Sequence, residues 1–161
     1  MRRKDREVTD RQGMEEIIRM CKTCHVAMVD DGKPYMVPLS FGYRFTEEGL
    51  LELYFHSAKE GKKLDILRKN NQVCFEMANE GEPLTTDTPC NAGYYFASLI
   101  GFGEVFFLED PAEKCEALSL MFAHQSGEKV VFNERQAAAV CVYKIVSEEF
   151  TGKRKQRPIK N

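Results

Sequence analysis

The sequence predicts a β-rich α+β fold, a small barrel flanked by helices, on three observations. Apolar runs bounded by turn residues crowd the first part of the chain and read as hairpins. Helix signatures come later, opening at Ser57 and at Asp110, without the regular strand–helix alternation of a doubly wound parallel sheet. A long apolar run at 94–108 carries Gly101 and Gly103, the mark of a strand that bends or meets another backbone closely. The 161 residues suit one domain, 1–161, large enough for a substantial core without disulfides.

Taken in order, Thr9 and Gln12 form a capping box, and Met14, Ile17, Ile18 and Cys21 mark a short amphipathic helix behind it. His25 to Val29 reads as a strand, and Asp30-Asp31-Gly32-Lys33 as a hairpin turn with Gly32 at positive φ. Tyr35 to Tyr43 is the return strand. Its Pro38 cannot donate to a ladder and belongs at an edge or a bulge. After a turn at 46–49, Leu50 to His56 makes a third strand. Ser57, with Glu60 three residues on, predicts a capped helix carrying Leu64 and Leu67.

Val73 to Met77 is a short buried strand, and Asn79 to Gly93, rich in Gly, Pro, Thr, Asn and Asp, reads as a long loop of a length that is often functional. Asp110-Pro111-Ala112-Glu113 has an N-cap, a proline at the first helical position and an acid in the first turn. That helix should carry Leu118, Met121 and Phe122 toward the core and end near His124. Ala137 to Val146 reads as the last strand.

The net charge of −2 offers no electrostatic case for nucleic acid or membrane as a partner. Basic runs at each end, RRKDR and GKRKQR, read as solvated tails or as arms over an anionic ligand. No segment is apolar enough to cross a bilayer, and the N-terminus lacks a signal peptide's apolar region, so a cytoplasmic location is expected. The six cysteines should then be reduced thiols, with Cys74 and Cys141 in the core.

The start of the helix after Ser57 holds a conflict. Gly61, Lys62 and Lys63 fall in its first turns, where the helix dipole disfavours cations. A bound phosphate would reverse that conflict, since free N–H groups, a serine hydroxyl and ammonium groups all favour an anion; otherwise the pair is a solvated surface feature. His56 precedes the serine and would touch anything bound there. Cys21-Lys22-Thr23-Cys24-His25 matches a c-type haem attachment pattern, but without an export signal and with Cys21 on the apolar helix face it reads as coincidence. A zinc site lacks a second ligand pair. His25 reads as a half-exposed sheet residue, and His124 suits the last turn of its helix. No Ser-His-Asp triad or glycosidase-like pair of acids is present.

Val37-Pro38-Leu39-Ser40-Phe41-Gly42-Tyr43, then Tyr54-Phe55-His56-Ser57-Ala58 with Gly61-Lys62-Lys63, then Val73-Cys74-Phe75-Glu76 resemble the FMN-binding split β-barrels related to pyridoxamine 5′-phosphate oxidase. The branch most similar is that of the 5-nitroimidazole-resistance, nitroreductase-like proteins. The opening Met1 to Glu7, the strand Ser98 to Gly103 and the closing Thr151-Gly152-Lys153 match as well, so the resemblance spans nearly the whole chain. It implies a homodimer with flavin at the subunit interface. Carried over by position, Val37, Pro38 and Leu39 would face the isoalloxazine ring through their backbone, with Ser40 adding a side-chain contact. His56, Ser57, Ala58, Lys62 and Lys63 would hold the ribityl phosphate, Gly61 allowing close approach. Ser98 and Lys153 are further contacts, from the same or the other subunit. Relatives that oxidise pyridoxamine phosphate carry an arginine and a histidine near the C-terminus. TGKRKQRPIKN has no histidine, which argues against vitamin B6 oxidation. Cys90 is either an exposed loop thiol or close to the flavin or the dimer seam.

The function implied is an FMN-dependent oxidoreductase, with FAD as an alternative cofactor. NAD(P)H would be the co-substrate and a nitroaromatic or quinone the small-molecule acceptor. A non-enzymatic flavin carrier or redox sensor is the second reading. The third is haem in the same cleft, with His25 or His124 as axial ligand. No nicotinamide-binding fingerprint is present, since Gly101-Phe102-Gly103 lies inside a strand.

Overall fold

Asp10, not Thr9, starts the first helix: its carboxylate accepts from the Gly13 amide at 2.8 Å. A computed structural model describes residues 2–156; Met1 and Arg157, the last residue of the closing basic run, lie outside the described residues. A two-residue strand, β1 (Glu7–Val8), precedes α1 (Arg11–Met20), which buries Met14, Ile17 and Ile18 as its spacing predicts.

β2 (Thr23–Asp30) turns through Asp31 and Gly32, both at positive φ, into β3 (Lys33–Ser40). The predicted single return strand is two. After Phe41 the chain leaves β3 and begins β4 (Gly42–Phe45), followed by β5 (Leu51–Ser57) and α2 (Lys62–Lys69). β6 (Gln72–Leu84) and β7 (Gly93–Phe107) follow, then α3 (Pro111–Ser126), α4 (Glu134–Ala137) and β8 (Cys141–Lys155).

The described strands form an eight-stranded antiparallel sheet in the order β3-β2-β6-β7-β8-β5-β4, with β1 on β8. β3 and β4 end that order at opposite sides, yet only Phe41 separates them. Two residues span at most ~7 Å, so the two edges must meet. The sheet therefore curls into a barrel whose seam the chain itself crosses: a split β-barrel with flanking helices. Pro38 sits in unbroken register opposite His25, so edge position accounts for it and no bulge is needed.

The predicted long loop is in part a β-arm. Glu80 pairs with Phe96 and Leu84 with Gly93 across a register shift, leaving only residues 85–92 between the strands. The last strand starts later than predicted, because Asn133 and Gln136 cap each other and hold Ala137 in a helical turn. It also runs further, carrying the basic run through Lys155 between β7 and β1.

Inside the barrel, Phe41, Leu53, Phe55, Phe75, Leu99 and Tyr143 form the main core with Ile17, Ile18, Leu64 and Leu67. β5 is buried on both faces: Leu53 and Phe55 look into the barrel while Tyr54 packs under α3 with Leu118, Met121 and Val142. Phe122, predicted as core, is instead partly exposed and meets Phe132 edge-on at 6.1 Å between ring centroids. Asp110 and Pro111 begin α3 as predicted, the Asp110 carboxylate accepting from the Glu113 amide at 2.9 Å.

Two glycines set how closely the layers approach. A Cβ on Gly103 would lie 2.5 Å from the Val146 carbonyl oxygen, so the predicted close approach of another backbone is real. A Cβ on Gly42 would lie 2.5 Å from the Met121 amide nitrogen, which places β4 directly against α3. Gly42→Ala should therefore lower stability by about 2–3 kcal/mol, since a helix backbone cannot rotate away as a side chain can. Urea unfolding checks this, and an unchanged midpoint would mean that α3 is not seated on β4.

Candidate functional site

The phosphate-like features gather at the start of α2, but by a different cap from the one predicted. Ser57 closes β5, and its hydroxyl donates to the Ala58 carbonyl at 2.8 Å. Gly61 is the N-cap, at φ 143°, with no side-chain cap bond. No atom lies within 4 Å of where its Cβ would be, so backbone conformation rather than space calls for glycine. Lys62 and Lys63 become the first two helical residues. The Gly61 carbonyl takes the Leu64 and Asp65 amides, while no side chain caps the helix start ahead of them.

Each lysine has its own surroundings. The Lys62 ammonium lies 3.0 Å from the Asp30 carboxylate, which raises its pKa, and 4.8 Å from the centre of the Tyr35 ring. Lys63 lies near His56, whose pKa is lowered first by burial and then by the Lys63 charge. Both effects favour the neutral imidazole, a donor and acceptor rather than a cation.

β3 presents its residues alternately. Val37 and Leu39 pack against the barrel core, while Pro38 and Ser40 are exposed on the outer face. As an edge strand, β3 leaves backbone groups unpaired by the sheet, the kind of donors and acceptors that a flat heterocycle can use. Ser40 and His56 open into one cleft of about 260 Å3, whose other wall is Leu118, Met121, Phe122 and Phe132 from α3 and the α3–α4 connection. Neither that wall nor Asp30 is visible as a site from sequence spacing.

Neither Ser98 nor Lys153 lines the cleft of Ser40 and His56. They face each other across β7 and β8.

The cysteine–histidine run does not form a reactive centre. Cys21 and Cys24 are buried, and burial pushes the Cys21 thiol up to about 11 and the Cys24 thiol higher still. Cys74 and Cys141, expected in the core, are only half-buried. His25 Nδ1 lies 3.1 Å from Glu76 and His124 Nε2 lies 2.8 Å from the Cys21 carbonyl, so each imidazole already has a partner. Among the described residues no three of His, Cys, Asp and Glu are placed to hold a metal ion. Cys90 is exposed, in a tight turn at Pro89–Asn91.

The family model for pyridoxamine 5′-phosphate oxidase matches residues 10–154. The chain belongs to that family. A crystal structure from Bacteroides thetaiotaomicron, of a protein provisionally named for 5-nitroimidazole antibiotic resistance, is 31% identical over 91% of this chain and 85% of its own, with a TM-score of 0.78. A flavocytochrome from Azotobacter vinelandii shares the fold at 17% identity, covering 100% of this chain and 74% of its own, with a TM-score of 0.79. An FAD-binding protein from Mesorhizobium loti shares it at 21% identity, over 94% of this chain and 98% of its own, with a TM-score of 0.66. No match was found among curated protein sequences. Among the described residues, no helix of this family member is long and apolar enough to cross a membrane.

Proposed function

We propose that the protein binds FMN at the α2 start and along the β3 edge, and works as an NAD(P)H-dependent reductase of small acceptors such as nitroaromatics or quinones. One observation carries this reading: a helix start without a side-chain cap bears Gly61, Lys62 and Lys63, and Lys63 acts on His56, which shares a cleft with Ser40. Those residues fit a phosphate with a flat ring attached. Relatives of this fold are described as flavin-binding, and a 31% identical one carries the 5-nitroimidazole-resistance name.

Lys63, the free N-terminal amides of α2 and the Ser57 hydroxyl would hold the phosphate, with Ala58 and Gly61 leaving room. Lys62 would contribute less, because Asp30 already takes its charge. The backbone at Val37, Pro38 and Leu39 and the Ser40 hydroxyl would orient the ring. Bound FMN would supply the hydride and electron chemistry; the protein's share is binding, orientation and the field around the ring.

The reading includes a homodimer. Met36, Ile100 and Phe102 stand exposed on the outer sheet face that also carries Pro38, an apolar face that a second copy would cover. Ser98 and Lys153, which do not line the cleft of Ser40 and His56 in their own chain, would reach the flavin as Ser98 and Lys153 of the partner subunit.

The test is the visible spectrum of the purified protein with added FMN, followed by anaerobic NADPH and then NADH. A flavin spectrum that bleaches is the expected result. A bound flavin unmoved by either nucleotide would favour the carrier or redox-sensor reading. A sharp Soret band would favour haem, which the existing partners of His25 and His124 argue against. No flavin binding would overturn the site.

A further inference from the structure

On the other side of α3 from the cleft of Ser40 and His56, a second cleft of about 960 Å3 opens between α1, β4 and the C-terminal end of α3. One wall is a stripe of α1 at helical spacing, Arg11, Glu15 and Arg19. Lys22, Arg44 and Lys129 complete the charged lining, so five cations meet one carboxylate on a chain of net charge −2.

Part of that charge is already used. Arg19 pairs with Glu15 at 2.8 Å, Arg44 lies between Glu52 and Glu116, and Lys22 donates to the His124 carbonyl at the end of α3. Arg11 and Lys129 have no carboxylate partner among the described residues. Arg11 lies instead over the Phe45 ring, 4.9 Å from its centre. Phe45 in turn meets Tyr43 edge-on, and the Tyr43 hydroxyl is shared by Arg19 and Glu15. The cleft thus joins two aromatic rings, set at 82° to each other, to two cations that have no carboxylate partner among the described residues.

We infer that this cleft binds a nucleoside phosphate. Arg11 and Lys129 take the phosphate charge, and the Tyr43 ring, at 82° to Phe45, takes the flat base on one face. Neither flavin binding nor reductase activity is needed for this, because the residues lie on the opposite side of α3 from those proposed to hold FMN.

The test is calorimetric titration of the full chain with ADP and with adenosine at low ionic strength. ADP should bind saturably below millimolar concentration, and adenosine at least about tenfold more weakly, because the phosphates carry the charge recognition. Arg11→Gln with Lys129→Gln should weaken ADP binding by about tenfold or more, whereas Lys63→Gln, at the α2 start, should leave it unchanged. Both replaced residues are on the surface, and an unchanged urea midpoint confirms that the double variant is folded. Absence of saturable ADP binding would overturn the inference. So would ADP binding that survives the double variant, or that Lys63→Gln abolishes.

Discussion

Replacing Lys62 and Lys63 together by alanine is expected to weaken FMN binding about 100-fold while changing riboflavin binding by less than about threefold. A charge-assisted hydrogen bond contributes roughly 1.5–3 kcal/mol, and about 3 kcal/mol from the pair corresponds to that factor of 100. Only FMN carries the phosphate, so the loss should appear in the ratio of the two affinities, read by flavin fluorescence titration of the apoprotein. The two lysines should not contribute equally. Lys62 is 3.0 Å from Asp30, so its removal acts chiefly by exposing that carboxylate near the phosphate, a like-charge penalty. Lys63, whose charge acts on His56, should supply the direct attraction. Asp30→Asn in the Lys62→Ala background should then recover part of the affinity. Equal losses for FMN and riboflavin would place the phosphate elsewhere.

How much of this was legible in the sequence depended on where each signal's partner lay. Asp110, Pro111 and Glu113 start α3 with contacts inside one turn, and the Asp31-Gly32 hairpin is local too; both were readable from spacing. The family and the split barrel were readable from the order of several short motifs. Residues 79–84 were not, because Gly81 and Pro83 weaken a strand locally while pairing with β7 supplies what local propensity lacks. The same holds for the basic run at 152–155, which looks like a tail and lies between β7 and β1. Ser57 and Glu60 satisfied a capping pattern that Gly61 displaces, since β5 runs on through Ser57 in pairing with Cys141. Within the candidate site, the lysines were visible as an anomaly at a helix start. Asp30, which neutralises one of them from 32 positions away, had no local signal.

Glu52→Gln is expected to cost about 3–5 kcal/mol of stability, the larger of the two folding effects expected here. Glu52 lies on β5 at 5% exposure and accepts from Lys144 at 2.6 Å, from Tyr54 at 2.5 Å and from Arg44 at 2.7 Å. Burial alone would raise its pKa, but these bonds from Lys144, Tyr54 and Arg44 outweigh burial and hold it at about 2 against an ordinary 4.5. A carboxyl whose folded pKa is depressed stabilises fully above its unfolded value and loses that contribution as pH falls through the folded one. The wild-type protein should therefore lose stability between pH 4.5 and about 2 from this group, and Glu52→Gln should flatten that part of the acid limb. Urea midpoints measured across that range read both effects. An acid limb as steep in the variant as in the wild type would mean that other carboxyls carry it. The substitution also reaches the candidate site. Arg44 extends from Glu52 to Glu116 on α3, so the carboxylate ties β4, β5 and β8 to the helix that walls the cleft of Ser40 and His56. Loosening that tie should weaken flavin binding without touching a flavin contact, and Gly42→Ala, which displaces α3 from below, should weaken it in the same way.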